Sequence, residues 1–341
     1  MDPYDARLAP AAFGLHNTGV ICYFNSFLQM LAGCTAFTRA ALANQEYLKS
    51  TATGSALLKF ISAFAGPEAA RIPPALDIAS QSAEVLRALT QDLAVRRPSV
   101  RFGSNQECAG EALGHLLEML EPPNPRRRDP FTEIFMHRSS CDLMCMACKS
   151  VSPGQPNHNV FHSLLHLDEL PKFPDSAAEF SKAMHTRVSV AQDFFCPKCP
   201  CERCGGEADE GRCAKCNRRN AKTTVYNVER LTAVPEVVVC LFNLYGATRT
   251  PRYFPDRLAF PGTAGETLDY ILIGQVEHAG SPSGGHYWAR CLRAGNEVAM
   301  LNDSCASSSR FESPSSGTYL VAYHYAGTSA SAQAPTLAQA H

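Results

Sequence analysis

The sequence lacks a charge of either sign to spare. Its 31 Lys and Arg stand against 32 Asp and Glu, for a formal net charge of -1. Without a basic excess, phosphate-backbone binding is not expected as the main task, so nucleic acid is not expected as a partner. Charged residues are only 18% of the chain against 45% hydrophobic, which excludes the composition of a disordered protein. No run of about 18 apolar residues occurs, so neither a membrane span nor a membrane partner is expected. The opening Met1-Asp2-Pro3-Tyr4-Asp5-Ala6-Arg7 contains no apolar signal-peptide segment. No internal repeat of about 20–50 residues is present, which argues against a solenoid or propeller.

What the sequence has in quantity is cysteine, 15 among 341 residues. That is too few for a disulfide scaffold and many for a reduced enzyme, and an odd number excludes complete pairing. A reducing compartment, cytoplasmic or nuclear, fits thiols used for metal binding or catalysis. At this length roughly 75% of the unfolded chain's surface can be buried, enough for a large core or two smaller ones.

The pattern divides the chain into a helical first third and a strand-rich remainder. Residues 1–12 read as a loose leader. A helix is expected from Gly14 to about Ala43, where Phe24, Phe27, Leu28 and Leu31 recur at helical spacing, with Asn17 or Thr18 as its cap. Further helices are expected over Ala56–Ala65, Ala83–Leu93 and Cys108–Leu120, the last carried by Ala112, Leu113, Leu116, Leu117 and Leu120. Beyond Arg126-Arg127-Arg128, β-branched and aromatic runs appear at Val225–Val228, Val237–Leu244, Tyr270–Val276, Tyr287–Leu292 and Tyr319–Tyr325. They read as an antiparallel sheet system. The Ala/Ser/Thr/Gln/Pro-rich stretch 326–341 reads as a disordered tail.

Four Cys-x-x-Cys pairs stand out: Cys145/Cys148, Cys196/Cys199, Cys201/Cys204 and Cys213/Cys216. Chance spacing of the cysteines would produce about one such pair. Two intervening residues allow a tight turn that aims both sulfurs at one zinc ion, and a second pair closes the tetrahedron. One or two structural zinc ions are therefore expected. Two pairings remain open. Cys201/Cys204 with Cys213/Cys216 forms a compact unit and leaves Cys145/Cys148 for Cys196/Cys199. Alternatively Cys145/Cys148 joins Cys213/Cys216, with the middle four as an inserted site.

A ninth cysteine suggests chemistry. Cys22 lies where a Gly-containing loop enters an apolar-striped helix, and a helix N-terminus favours the thiolate. Asn17, five residues earlier, offers an amide to a developing oxyanion. His286 follows a Gly-rich turn at a strand start, and Asn302 lies 16 residues beyond it. A hairpin would bring Asn302 or Asp303 beside the imidazole, fixing its tautomer while it deprotonates the thiol.

These residues carry a resemblance. Gly14-Leu15-x-Asn17-x-Gly19-x-x-Cys22-Tyr23-x-Asn25-Ser26-x-Leu28-Gln29-x-Leu31 resembles the Cys box of the ubiquitin-specific proteases. Tyr270-x-Leu272-x-x-x-Val276-x-His278-x-Gly280-x-x-x-Gly284-Gly285-His286-Tyr287-x-Ala289 is similar to their His box. Leu301-Asn302-Asp303-Ser304 resembles the segment holding the third catalytic residue, and Tyr319–Tyr323 the closing core strand. Phe102 to Leu120 resembles the glutamine-rich helical motif, and Cys145-x-x-Cys148, Phe161-x-Ser163-Leu164, the later Cys pairs and Val234–Val239 follow the fingers-region order. The resemblance spans about residues 13–325.

It implies an α+β, papain-like cysteine protease hand. The helical thumb would be 13–125, the β-rich palm 126–139 and 233–325, and the zinc-binding β fingers 140–232, all one catalytic domain. It also implies a deubiquitinating thiol protease acting on ubiquitin or ubiquitinated proteins through an acyl-enzyme. Cys22 would be nucleophile, His286 general base, Asn302 the orienting residue with Asp303 as its alternate, and Asn17 the oxyanion donor. An inactive ubiquitin-binding scaffold of the same fold is the competing reading. A monomer is expected. The sequence departs from the family pattern at Val20-Ile21, at Glu107, Cys108 and Ala112, and in the extra pair within Cys196–Cys204. His278 aligns with a family histidine flanking the cleft, or is a loop residue. Cys34, Cys108, Cys141, Cys240, Cys291 and Cys305 are left as packing residues.

Overall fold

The computed structural model describes residues 4–5, 8–65, 78–103, 105, 107–122, 129–163, 174–196, 198–199, 208–209, 212–213, 216, 222–242, 251–281 and 284–329. The first part is helical: α1 (Cys22–Gly33), α2 (Thr35–Ala43), α3 (Gln45–Leu48), α4 (Ala52–Ala65), α5 (Ile78–Arg96) and α6 (Ala109–Leu120). All twelve residues of α1 are buried, so it is a central helix and not an amphipathic surface one. In α6, Leu113, Leu116, Leu117 and Leu120 form the buried stripe, and the Cys108 side chain caps the Glu111 N–H.

After α7 (Thr132–Phe135) the chain turns to strands. In order they are β1 (His137–Cys145), β2 (Val151–Pro153), β3 (Asn157–Asn159) and β4 (Phe161–Ser163), then α8 (Ala177–His185) and β5 (Thr186–Phe195). The short β6 (Ala208–Asp209) and β7 (Arg212–Cys213) precede β8 (Lys222–Ala233), β9 (Val237–Leu241), β10 (Arg257–Pro261) and β11 (Thr267–Ser281). The chain continues through β12 (Gly284–Leu292), β13 (Val298–Asn302), β14 (Cys305–Ser309) and β15 (Thr318–Ser329).

One sheet has the order β2-β1-β8-β5, with β3 also on β1, and forms the fingers. The palm sheet runs β14-β13-β12-β11-β15-β9-β4, with β10 on β11. Its pairs are antiparallel except β4 with β9. A single core joins the thumb helices to one palm face through Leu28, Leu31, Val276, Tyr287, Ala289 and Leu301. A second core packs the other palm face around Phe180, Phe260, Tyr270 and Tyr323. Gly274 permits the thumb's close seat, since a Cβ there would meet Met30 Cγ at 2.7 Å. The chain thus has the expected α+β hand. Among the described residues no helix is long and apolar enough to cross a membrane.

Several local expectations need correction. The single helix over 14–43 is instead two, because residues 14–20 are non-helical and Cys34 (φ -84, ψ 90) breaks the ladder. The described residues of the leader are docked: Tyr4 N–H donates to the Tyr325 carbonyl (3.1 Å), the Pro10 carbonyl accepts from Ala294 (2.9 Å), and Ala9 is buried. β15 runs on to Ser329, which pairs with Thr267, so the first residues assigned to a tail belong to the sheet. Residues 330–341 lie outside the described residues. His278 is a strand residue, buried against the Tyr287 ring at 4.4 Å, and not a loop residue. Cys34, Cys240 and Cys291 are core residues as expected, but Cys305 is exposed.

Candidate active site

The loop before α1 sets the position of Cys22, the nucleophile expected from the sequence. Ile21 is the N-cap and no side chain caps the helix, contrary to the cap expected from Asn17 or Thr18. The chain turns at Gly19 (φ +152), so Asn17 Oδ1 accepts from the Gly19 and Ile21 N–H groups at 3.1 and 3.3 Å, short of α1's first turn. Asn17 Nδ2 donates to Asp303 Oδ2 at 3.0 Å. Gly14 lies against the same turn, where a Cβ would sit 2.2 Å from the Ser304 carbonyl oxygen.

Cys22 is buried at 4% exposure. Burial pushes its thiol above the ordinary value, the Tyr287 backbone N–H pulls it down, and the Asp303 carboxylate raises it again. The expected lowering at the helix start therefore does not prevail. A thiol protonated at rest needs a neighbouring base.

His286 is the third residue of β12, and its Nε2 lies 2.7 Å from Asn302 Oδ1 at the end of β13. Asp303 Oδ2 is farther, at 4.0 Å. Asp303 occupies a turn (φ +48), which Asp tolerates, and turns its carboxylate toward the thumb. There it accepts from Asn17 Nδ2 and from Asn25 Nδ2 at 2.8 Å, while its carbonyl accepts from Leu15 N–H at 2.8 Å. Asn302 thus faces the imidazole, and Asp303 ties thumb to palm. Cys22 Sγ and His286 share no hydrogen bond among those of the described residues.

Asn25 had no assigned role in the sequence. Its signal was a polar amide in an apolar helix, 2% exposed, which must find partners. Its Nδ2 reaches the His16 carbonyl (3.3 Å) as well as Asp303.

In the fingers, Cys145, Cys148, Cys196 and Cys199 place their sulfurs within 4.8 Å of one another. Cys145–Cys199 and Cys148–Cys196 are 3.5 and 3.7 Å apart. A tetrahedral zinc with Zn–S of about 2.3 Å needs sulfurs about 3.8 Å apart, so the four residues fit that ion. This is the first of the two pairings left open by sequence. Cys201, Cys204 and the Cys213 side chain lie outside the described residues, and Cys216 is exposed. Gln106 of the glutamine-rich motif also lies outside them.

Comparison with known proteins adds to this geometry. The sequence model of one family, described as ubiquitin carboxyl-terminal hydrolase, matches residues 13–325. No curated protein matches significantly. The solved SAGA DUB module Ubp8/Sgf11/Sus1/Sgf73 bound to monoubiquitin is similar at TM-score 0.68 and 18% identity, over 96% of this chain and 72% of that one. The same module bound to ubiquitin aldehyde gives TM-score 0.69, 18% identity and the same coverages. A yeast SAGA DUB module with a variant Sgf73 gives TM-score 0.59 at 18% identity, over 96% and 72%.

Proposed function

Because the chain belongs to the ubiquitin carboxyl-terminal hydrolase family, and within it to the ubiquitin-specific protease type, we propose that it is a thiol-dependent deubiquitinase. It would cleave the isopeptide or peptide bond after the C-terminal Gly of ubiquitin. The observation that carries this reading is the 2.7 Å contact of His286 with Asn302 in a sheet packed on the helix that begins at Cys22.

Asn302 Oδ1 accepts, so His286 Nε2 carries its hydrogen and Nδ1 keeps the lone pair. Nδ1 takes the proton of Cys22 Sγ, and the thiolate adds to the Gly carbonyl carbon. Asn17 has two amide protons and only one is held by Asp303, which leaves the other for the oxyanion. Collapse breaks the C–N bond, and the leaving lysine amine takes the proton from His286. Water, deprotonated by His286, then hydrolyses the thioester and releases ubiquitin's carboxylate. Catalytic hydrogen bonds commonly close only in the substrate complex, which accommodates the unbonded Cys22–His286 pair.

Cys145, Cys148, Cys196 and Cys199 would hold one structural zinc, a closed set with no position for substrate. A reducing cytoplasmic or nuclear compartment suits both uses of thiol. The similar structures are multisubunit assemblies, so the monomer expected from sequence finds no support in them. The competing scaffold reading requires no turnover, and retention of Cys22, His286 and Asn302 together argues against it.

A ubiquitin C-terminal electrophilic probe tests the proposal. The expected result is one adduct on Cys22 that is lost in Cys22→Ser. Failure of the wild type to react, or an adduct that survives the substitution, overturns it.

A further inference from the structure

Behind the imidazole lies a polar chain that the reaction above does not use. Trp288 is the sole tryptophan of the sequence. It is two residues past His286 on β12, so both side chains leave the same face. Their rings stack, with centroids 6.2 Å apart and planes at 24°. Across the hairpin, Ala279 stands opposite His286 and Glu277 opposite Trp288. The small Ala279 leaves the space beside the imidazole to the indole. Trp288 Nε1–H donates to Glu277 Oε2 at 2.8 Å, which fixes the indole plane.

Glu277 is itself held firmly. It is 3% exposed, with Arg290 Nε 2.8 Å from Oε2 and Ser315 Oγ donating to Oε1 at 3.3 Å. Arg290 pairs in turn with Glu312 at 2.6 Å and donates to the Arg310 carbonyl at 3.1 Å. A buried carboxylate is costly even when paired, and the β11–β12 ladder already closes this hairpin without it. Besides holding Arg290 and Ser315, the carboxylate orients one aromatic ring.

We infer that Trp288, anchored by Glu277, is a positioning residue for His286: it fixes the plane of the imidazole so that Nε2 stays on Asn302 and Nδ1 is presented to Cys22. The inference rests on His286 being the general base. The imidazole χ2 is a broad two-fold torsion, and one hydrogen bond to Asn302 leaves the ring free to rock about that contact. An indole in an offset stack beside it, its plane 24° from that of the imidazole, limits this freedom. Asp303, in the turn after β13, brings a carboxylate oxygen to 4.0 Å from the ring. His278, paired with Tyr287, alternates to the opposite face of the hairpin.

Two measurements test this on the full chain. The first is steady-state hydrolysis of a ubiquitin C-terminal fluorogenic amide by Trp288→Ala, Trp288→Phe, Glu277→Leu and Glu277→Gln. The expected result is a kcat loss of about 10–100-fold for Trp288→Ala and Glu277→Leu with KM within about threefold, the signature of a lost transition-state alignment. Phe should recover much of the loss through stacking alone, and Gln should recover much of it as an acceptor for the indole. A rise in KM at unchanged kcat makes Trp288 a ubiquitin contact and overturns the inference, as does an unchanged kcat in Trp288→Ala. The second is emission of the lone tryptophan, which needs no turnover. His286→Ala removes the ring beside the indole and should change the intensity and wavelength of that emission. An emission spectrum unaltered in His286→Ala overturns the stack. If that emission change is found but the wild type shows no hydrolysis, the deubiquitinase reading fails while the stacking geometry stands.

Discussion

The tie between Asp303 and the two asparagines allows the sharpest perturbation. Asp303→Ala removes the acceptor of two charged hydrogen bonds, at 3.0 Å from Asn17 and 2.8 Å from Asn25. Each bond of this kind contributes about 1.5–3 kcal/mol net, so an enclosed pair would be worth about 3–6 kcal/mol. The Asp303 side chain is 17% exposed and Asn17 is on the surface, so water recovers part of that. The expected destabilisation is about 2–4 kcal/mol, read as a shift of the urea midpoint at constant slope. The kinetic effect follows from geometry. Loss of one oxyanion donor costs about 10²–10³ in kcat, so Asn17→Ala should approach that range. Asp303 acts through Asn17, so Asp303→Ala should lose part of the same factor. The double variant should then be no slower than Asn17→Ala alone, a fully non-additive cycle. Multiplicative losses would refute the reasoning, because they would mean that Asp303 acts on the chemistry separately. Asn302→Ala serves as the contrast, since it leaves the tie intact: kcat should fall with little change in the urea midpoint.

Two further outcomes concern the frame. Metal analysis should find zinc bound through Cys145, Cys148, Cys196 and Cys199, and chelation should lower fingers-region protection in hydrogen exchange more than protection in α1 or β12; zinc-free protein with unchanged exchange would remove the assignment. His137 and His324 are held neutral, both lowered from the ordinary 6.5 to about 4, chiefly by burial. A depressed base binds protons first in the unfolded chain, so their stability contribution is intact above about 6.5 and falls as pH drops toward about 4. Urea midpoints that stay level across that window in the wild type, or that fall equally in His137→Gln, would contradict the burial argument.

The parts of this fold that sequence revealed are those whose signal is local. The α6 stripe of Leu113, Leu116, Leu117 and Leu120 is one, and the paired turns of Cys145/Cys148 and Cys196/Cys199 are another. The docking of Tyr4 on Tyr325 was not legible, because its partner lies at the other end of the chain. Nor was the break at Cys34, because the one local mark, Gly33, stands in an apolar pattern that continues on both sides of it. The choice between Asn302 and Asp303 is instructive, because adjacent strand residues face opposite ways. Leu301 pairs with Ala289, and both point into the core beneath α1. Asn302, one step on, must face the other side, which is the side of His286 and Trp288. Continuing the same register sets Asn302 beside Trp288 and diagonal to the imidazole, within side-chain reach. Asp303 falls past the end of β13, in the turn, where its positive φ swings the carboxylate to the thumb. Alternation from a single apolar residue, Leu301, is therefore enough to separate the side chain that meets the His286 imidazole from the one that holds the loop before Cys22.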